Sequence, residues 1–207
     1  AGTGGHVSLT SGVGTAKSSG LIKISTPDAG TAGVSGHLTF NSGTATSGSS
    51  GEILVGTGAS TAAGKGGSIS ITVGTGATAV GGVVTVISGK GATDGGAITV
   101  NSGVGTAAVG GDITVTAGQG DTDGGDTSII AGISAAGTNN KGGFLNVAAG
   151  RSVAGTGGHV SLTSGVGTAK SSGLIKISTP DAGNAGISGH LIFSSGTTTK
   201  GSSGELK

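Results

Sequence analysis

The chain has 207 residues and a formal net charge of +1; 50 residues are glycine, 9% are charged, and three phenylalanines are the only aromatic residues. Few large side chains are therefore available to fill an ordinary globular core. The lack of cysteine excludes disulfides and thiolate metal sites, the scattered Lys and Arg residues offer no basic patch to nucleic acid, and no apolar run is long enough to insert into a membrane.

One short sequence motif recurs along the whole chain, and GGDITVTAGQG at residues 110–120 is its clearest copy. We align the copies on the glycine just before each apolar stretch and call it the anchor glycine. The anchors follow one another at intervals of 14 to 18 residues: Gly5, Gly20, Gly36, Gly51, Gly67, Gly82, Gly96, Gly111, Gly125, Gly143, Gly158, Gly173, Gly189 and Gly204. A period this short is typical of one coil of a β-solenoid. We therefore predict an all-β fold, a single-chain, parallel β-helix-like solenoid with about 15 residues per coil and roughly fourteen coils, continuous over residues 1–207.

Apolar residues stand two and four positions after each anchor, so alternation along a strand would point both inward. The clearest pairs are predicted to form core ladders: Val7 and Leu9, Ile69 and Ile71, Ile98 and Val100, Ile113 and Val115. The next inward position is usually Ser, Thr or Ala. We expect the core to taper there.

Gly-x-Gly pairs follow many of these apolar stretches and are predicted to form the corners of the coil, through positive φ and close approach of neighbouring backbones. The turn glycines with this role are Gly74, Gly76, Gly89, Gly91, Gly103, Gly105, Gly118 and Gly120. In the longest coil, residues 135–141 are expected to bulge outward.

A longer repeat overlies the short one, because residues 1–54 recur as 154–207 with a shift of 153 and eight substitutions. Two of these are Thr31, which becomes Asn184, and Thr39, which becomes Ile192. We expect the chain to be a slice of a longer array, or one protomer of a filament that continues end to end.

Four aspartates form the one candidate metal site. Asp121, Asp123 and Asp126 have the oxygen spacing of a weak calcium loop, and Asp112 would lie one rung away from Asp126 in a solenoid. The competing interpretation is a hydrated acidic turn. No other cofactor is expected, and because neither a phosphate-binding loop nor a nucleophile elbow is present, we expect no enzymatic activity.

Hydroxyl residues recur on the predicted outward face, as in Ser70 and Thr72 or Thr114 and Thr116. These rows resemble those of ice-binding solenoids, but Lys23, Asn146 and Ile192 interrupt them. The alternatives are thus a surface that binds ice or glycans and an ordinary polar face.

Taken together, the repeats resemble the Gly/Ser/Thr-rich, short-coil β-solenoid repeats of fibrous surface proteins, such as viral and phage fibres and the surface appendages of algae and protists. The resemblance implies a structural, rod-like module at a cell or virion surface, outside the cell, whose partner is another copy of itself, associated end to end or laterally. It implies no catalytic residue.

Overall fold

The computed structural model describes residues 4–77, 80–135 and 140–207. Within these ranges the backbone forms neither an α-helix nor a β-strand, and hence no helix that could cross a lipid bilayer. The chain divides into two units, Ala1–Val100 and Asn101–Lys207. Each unit contains one copy of the duplicated 54-residue segment, so the same sequence can be compared in two places.

The predicted β-solenoid is therefore wrong for this chain. Parallel coils would be joined by ladder hydrogen bonds between residues about one coil, or 15 positions, apart. The backbone hydrogen bonds that link successive repeats instead join glycines 7 to 11 positions apart, as where Gly20 N donates to Gly12 O at 2.9 Å. Each anchor glycine thus lies beside the end of the preceding apolar stretch rather than beside the preceding anchor. A recurring sequence motif gives the number of residues per repeat. It does not determine which segments form backbone hydrogen bonds with one another.

The predicted core is absent as well, since no side chain of the described residues is buried. The accessible surface of 20312 Å² compares with about 8,000 Å² for a compact protein of this mass and about 27,000 Å² for its unfolded chain. The expected ladder residues all remain exposed, from 55% to 99%: Val7, Leu9, Ile69, Ile71, Ile98, Val100, Ile113 and Val115. The residues around these apolar side chains are mostly glycine, serine, threonine and alanine. Such small residues do not cover the apolar side chains within the described part of the chain.

A closed loop follows most of the apolar stretches. The glycine after the stretch accepts a backbone hydrogen bond from the next anchor, at 2.9 Å in most repeats, so that the two ends of the loop meet. The chain bends sharply once inside such a loop, for example at 15–17, 106–108 and 121–123. The donor and acceptor pairs of this kind are Gly20 and Gly12, Gly82 and Gly74, Gly96 and Gly89, Gly111 and Gly103, Gly125 and Gly118, Gly143 and Gly132, Gly158 and Gly150, and Gly173 and Gly165.

All variation in repeat length falls inside these loops. From the anchor to the accepting glycine there are always seven positions, as from Gly111 to Gly118. From the accepting glycine to the next anchor the number ranges from 7, between Gly118 and Gly125, to 11, between Gly132 and Gly143. The predicted outward bulge at 135–141 belongs to this longest loop, and its residues 136–139 lie outside the described residues.

The two glycines of a Gly-x-Gly pair have different surroundings. A Cβ atom on the first, such as Gly118, would have no neighbour within 4 Å, whereas one on the second, Gly120, would collide with the carbonyl oxygen of Asp123. The same collision is found at Gly14, Gly91, Gly105 and Gly167, each against a carbonyl three or four residues later. Among the described residues the positive-φ glycines are Gly33, Gly48 and Gly201. The second glycine is thus required because it lacks a side chain, and positive φ is not used at these corners.

We predict that Gly120→Ala opens the loop between Gly118 and Gly125, because the new methyl group displaces the Asp123 carbonyl. A typical intramolecular hydrogen bond contributes about 1 kcal/mol, so the Gly125 amide should exchange with solvent about fivefold faster, measured by NMR. Gly118→Ala is the matched control, since its methyl group enters open space. Equal exchange rates in the two variants would contradict this role for the second glycine.

Candidate interaction surface

The exposed apolar side chains keep the predicted alternation although they form no core. We call the residues two and four positions after the anchors the apolar row. Next to Gly20, Ile22 and Ile24 of the row are 44% and 54% exposed, whereas Leu21 on the other side is 85% exposed. The corresponding residues of the second copy, at 174, 175 and 177, agree to within one percentage point. In these two stretches the row therefore lies on the less accessible side, as alternation along an extended chain requires.

The residue six positions after each anchor lies at the mouth of the loop. It is the next residue on the same side as the apolar row, and in many repeats it is half-buried, as at Ser11, Thr26, Ser88 and Ala117. The next anchor packs against it: a Cβ on Gly96 would lie 3.4 Å from the Cβ of Ser88. A large side chain would separate the two ends of the loop, which explains why this position holds small residues in so many repeats.

In three repeats a threonine hydroxyl links the two ends of the loop. Thr26 Oγ1 donates to Gly36 O at 3.0 Å, Thr57 Oγ1 to Gly67 O at 3.1 Å, and Thr179 Oγ1 to Gly189 O at 3.2 Å. Ser11 Oγ makes the equivalent bond to Gly20 O at 2.9 Å, in addition to the backbone bond of that loop. Side-chain hydroxyls thus replace or support the glycine-to-glycine bond.

This role of the threonines was not predicted, although the sequence contains a signal for it. Thr26, Thr57 and Thr179 occur in the three repeats that are 16 residues long. In these the loop is one residue longer than in the common 15-residue repeat. A threonine six positions after the anchor, together with the extra residue, marks the loops that a side chain closes.

The predicted calcium residues lie on one loop and on the two apolar stretches that flank it, all in the second unit. Asp121 and Asp123 occupy the bend of the loop that Gly125 N closes onto Gly118 O, while Asp126 follows the anchor and Asp112 belongs to the preceding stretch. Among the described residues no three His, Asp or Glu side chains lie close enough together to hold a metal ion. Calcium binding at Asp112, Asp121, Asp123 and Asp126 stays a prediction.

The outward face presents hydroxyl groups singly and in pairs. Ser8 Oγ and Thr10 Oγ1 lie 3.5 Å apart, whereas Ile192 on the same face is 80% exposed. Binding of ice or glycans to this face stays a prediction. No pocket was found along the described chain.

The charged side chains of the described residues are exposed. A single ion pair forms among them, between Lys207 Nζ and Glu205 Oε2 at 3.4 Å. The remaining charges are therefore available to another molecule.

Comparisons with protein-family models, curated proteins and solved structures found no match to this chain. The surface must therefore be interpreted from its own residues.

We predict that Thr26→Val loosens the loop between residues 26 and 36, because valine keeps the shape of threonine but cannot donate to Gly36 O. Amides of residues 28–36 should exchange about fivefold faster, the effect of losing a hydrogen bond of about 1 kcal/mol. Thr26→Ser keeps the hydroxyl and should leave the rates within about twofold. If the valine and serine variants behave alike, the hydroxyl does not close the loop.

Proposed function

We propose that this chain is a structural repeat protein whose copies associate laterally through the apolar row to build a fibre on a cell or virion surface. The observation that carries the proposal is the row itself. It recurs in nearly every repeat, and none of its side chains is buried within the described residues.

Energetics favour covering the row in an assembly. Ordering one residue costs about 1–2 kcal/mol of backbone entropy, whereas the hydrogen bond that closes a loop of seven or more residues contributes about 1 kcal/mol. Burying the exposed part of one row side chain would contribute roughly 1 kcal/mol more. Contacts along the row would thus stabilise the loops that position it.

Repetition makes such an assembly cooperative. Each association event costs about 4–15 kcal/mol through the loss of translational and rotational freedom. The favourable free energy from the row grows with each repeat that takes part. Several repeats must therefore engage together. Among the described residues, hydrogen bonds close eleven loops between successive apolar stretches, so many repeats can engage together, whereas a single repeat cannot.

The partner that we propose is a second copy of the chain, because its apolar residues have the same spacing as this row. The composition agrees with such a contact, since only 9% of the residues are charged and an apolar patch of this kind on a soluble protein marks an interaction site. The location outside the cell follows from the resemblance to fibrous surface proteins and belongs to the same proposal.

We predict that the purified full chain forms filaments, with a sedimentation coefficient that rises between about 1 and 100 μM, a range that covers the affinity of ordinary specific contacts. The variant I113T/V115T/V160T/L162T replaces four apolar row residues of the second unit with threonine, which is smaller or more polar at each position. We expect its association to weaken by about a hundredfold, since each substitution removes roughly 0.7 kcal/mol of apolar burial. Sedimentation velocity and negative-stain microscopy would measure both properties.

The matched control makes the opposite change on the other face of the same stretches, in the variant T114V/T116V/S161V/T163V. It adds apolar surface outside the row and should leave filament shape unchanged. A wild-type chain that stays monomeric throughout this range would overturn the proposal. So would a row variant that assembles as readily as the wild type.

A further inference from the structure

The apolar row by itself does not specify how two copies align. Because its side chains recur at nearly constant intervals, a second copy could be shifted by one or more repeats and still match it. Register is weakly specified wherever a surface repeats in this way. A different feature of the chain must select one alignment over the others.

Charge is distributed unevenly along the second unit. Residues 101–140, which we call the acidic half, contain Asp112, Asp121, Asp123 and Asp126 and no Lys or Arg, a net charge of −4. Residues 141–207, the basic half, have six Lys or Arg residues against two acidic ones, a net charge of +4. The apolar row runs through both halves, from Ile113 to Phe193.

Ion pairs within the described residues leave both net charges in place. Among the described residues the one ion pair, between Lys207 and Glu205, lies wholly inside the basic half, and the four aspartates of the acidic half are exposed. Two parallel copies that meet in register would place four carboxylates opposite four carboxylates. A shift that sets the acidic half of one copy against the basic half of another replaces this repulsion with attraction.

We propose that copies of this chain dock through the apolar row out of register, with the acidic half of one against the basic half of the next. This inference rests on the proposed function, and it specifies the partner's alignment. The apolar row supplies the contact area, and the charges exclude the in-register alternative. When the copies run in the same direction, such a contact joins two different surfaces, so each added copy leaves one acidic and one basic half free, and the assembly continues as an open filament.

Reversing one half at a time tests the alignment in the full chain. The variant D112K/D121K/D123K/D126K makes both halves basic, and K141E/R151E/K170E/K176E makes both acidic. Exposed ion pairs contribute roughly twofold each, so each variant alone should associate about tenfold more weakly than the wild type at low salt. In about 0.5 M NaCl, where screening is strong, the three proteins should converge.

An equimolar mixture of the two variants is the control for misfolding, because basic and acidic chains are complementary and association should recover at low salt. Single variants that associate like the wild type at low salt overturn the out-of-register alignment while leaving lateral assembly intact. The alignment is also overturned if the variants stay weak in the mixture or in high salt. A wild-type chain that fails to associate under any condition refutes the proposed function itself.

Discussion

The organisation of this molecule depends on a single contact, the approach of each anchor glycine to the end of the apolar stretch before it. Where Gly125 N donates to Gly118 O at 2.9 Å, the backbones are close enough that a Cβ on Gly125 would lie 3.4 Å from Gly118 N. Only small residues allow this approach, and the bend inside the loop requires another glycine. Many of the glycines therefore lie at the ends and bends of the closed loops. Each apolar stretch begins directly after an anchor glycine.

The exposed row and the closed loops describe a chain whose stabilising interactions are mostly local. Hydrogen bonds of this type contribute little net free energy, and the accessible surface of 20312 Å² shows how little the chain buries alone. An assembly that covers the row would change this balance in every repeat at once. In that view the sequence encodes two separate properties: the apolar row supplies the adhesive surface, and the segregated charge of the second unit determines where along that surface a partner is placed.

The sequence predicted the repeat interval, the anchor glycines and the alternation that leaves Ile22 less exposed than Leu21. These properties depend on the order of residues within one repeat. It did not predict the pairing: Gly20 was expected beside Gly5 in the next coil, but its amide bonds to Gly12. Which backbone groups form hydrogen bonds depends on the relative free energies of several segments that share the same pattern. The repeat period does not give these free energies. The hydroxyl bonds of Thr26, Thr57 and Thr179 could have been anticipated from repeat length, because a longer loop brings a different atom to the closing position.

The confinement of length variation to the closed loops has an evolutionary consequence. Since the seven positions from anchor to accepting glycine never change, an insertion in a loop leaves every later apolar residue on its own side of the chain. Loop-closure entropy grows only with the logarithm of length, so extending a loop from 7 to 11 residues costs about 0.4 kcal/mol. A gene encoding such a chain can gain or lose codons between the two closing glycines and still maintain the spacing of the apolar row. The loops are thus the places where new peptide sequence, natural or engineered, can be displayed along it.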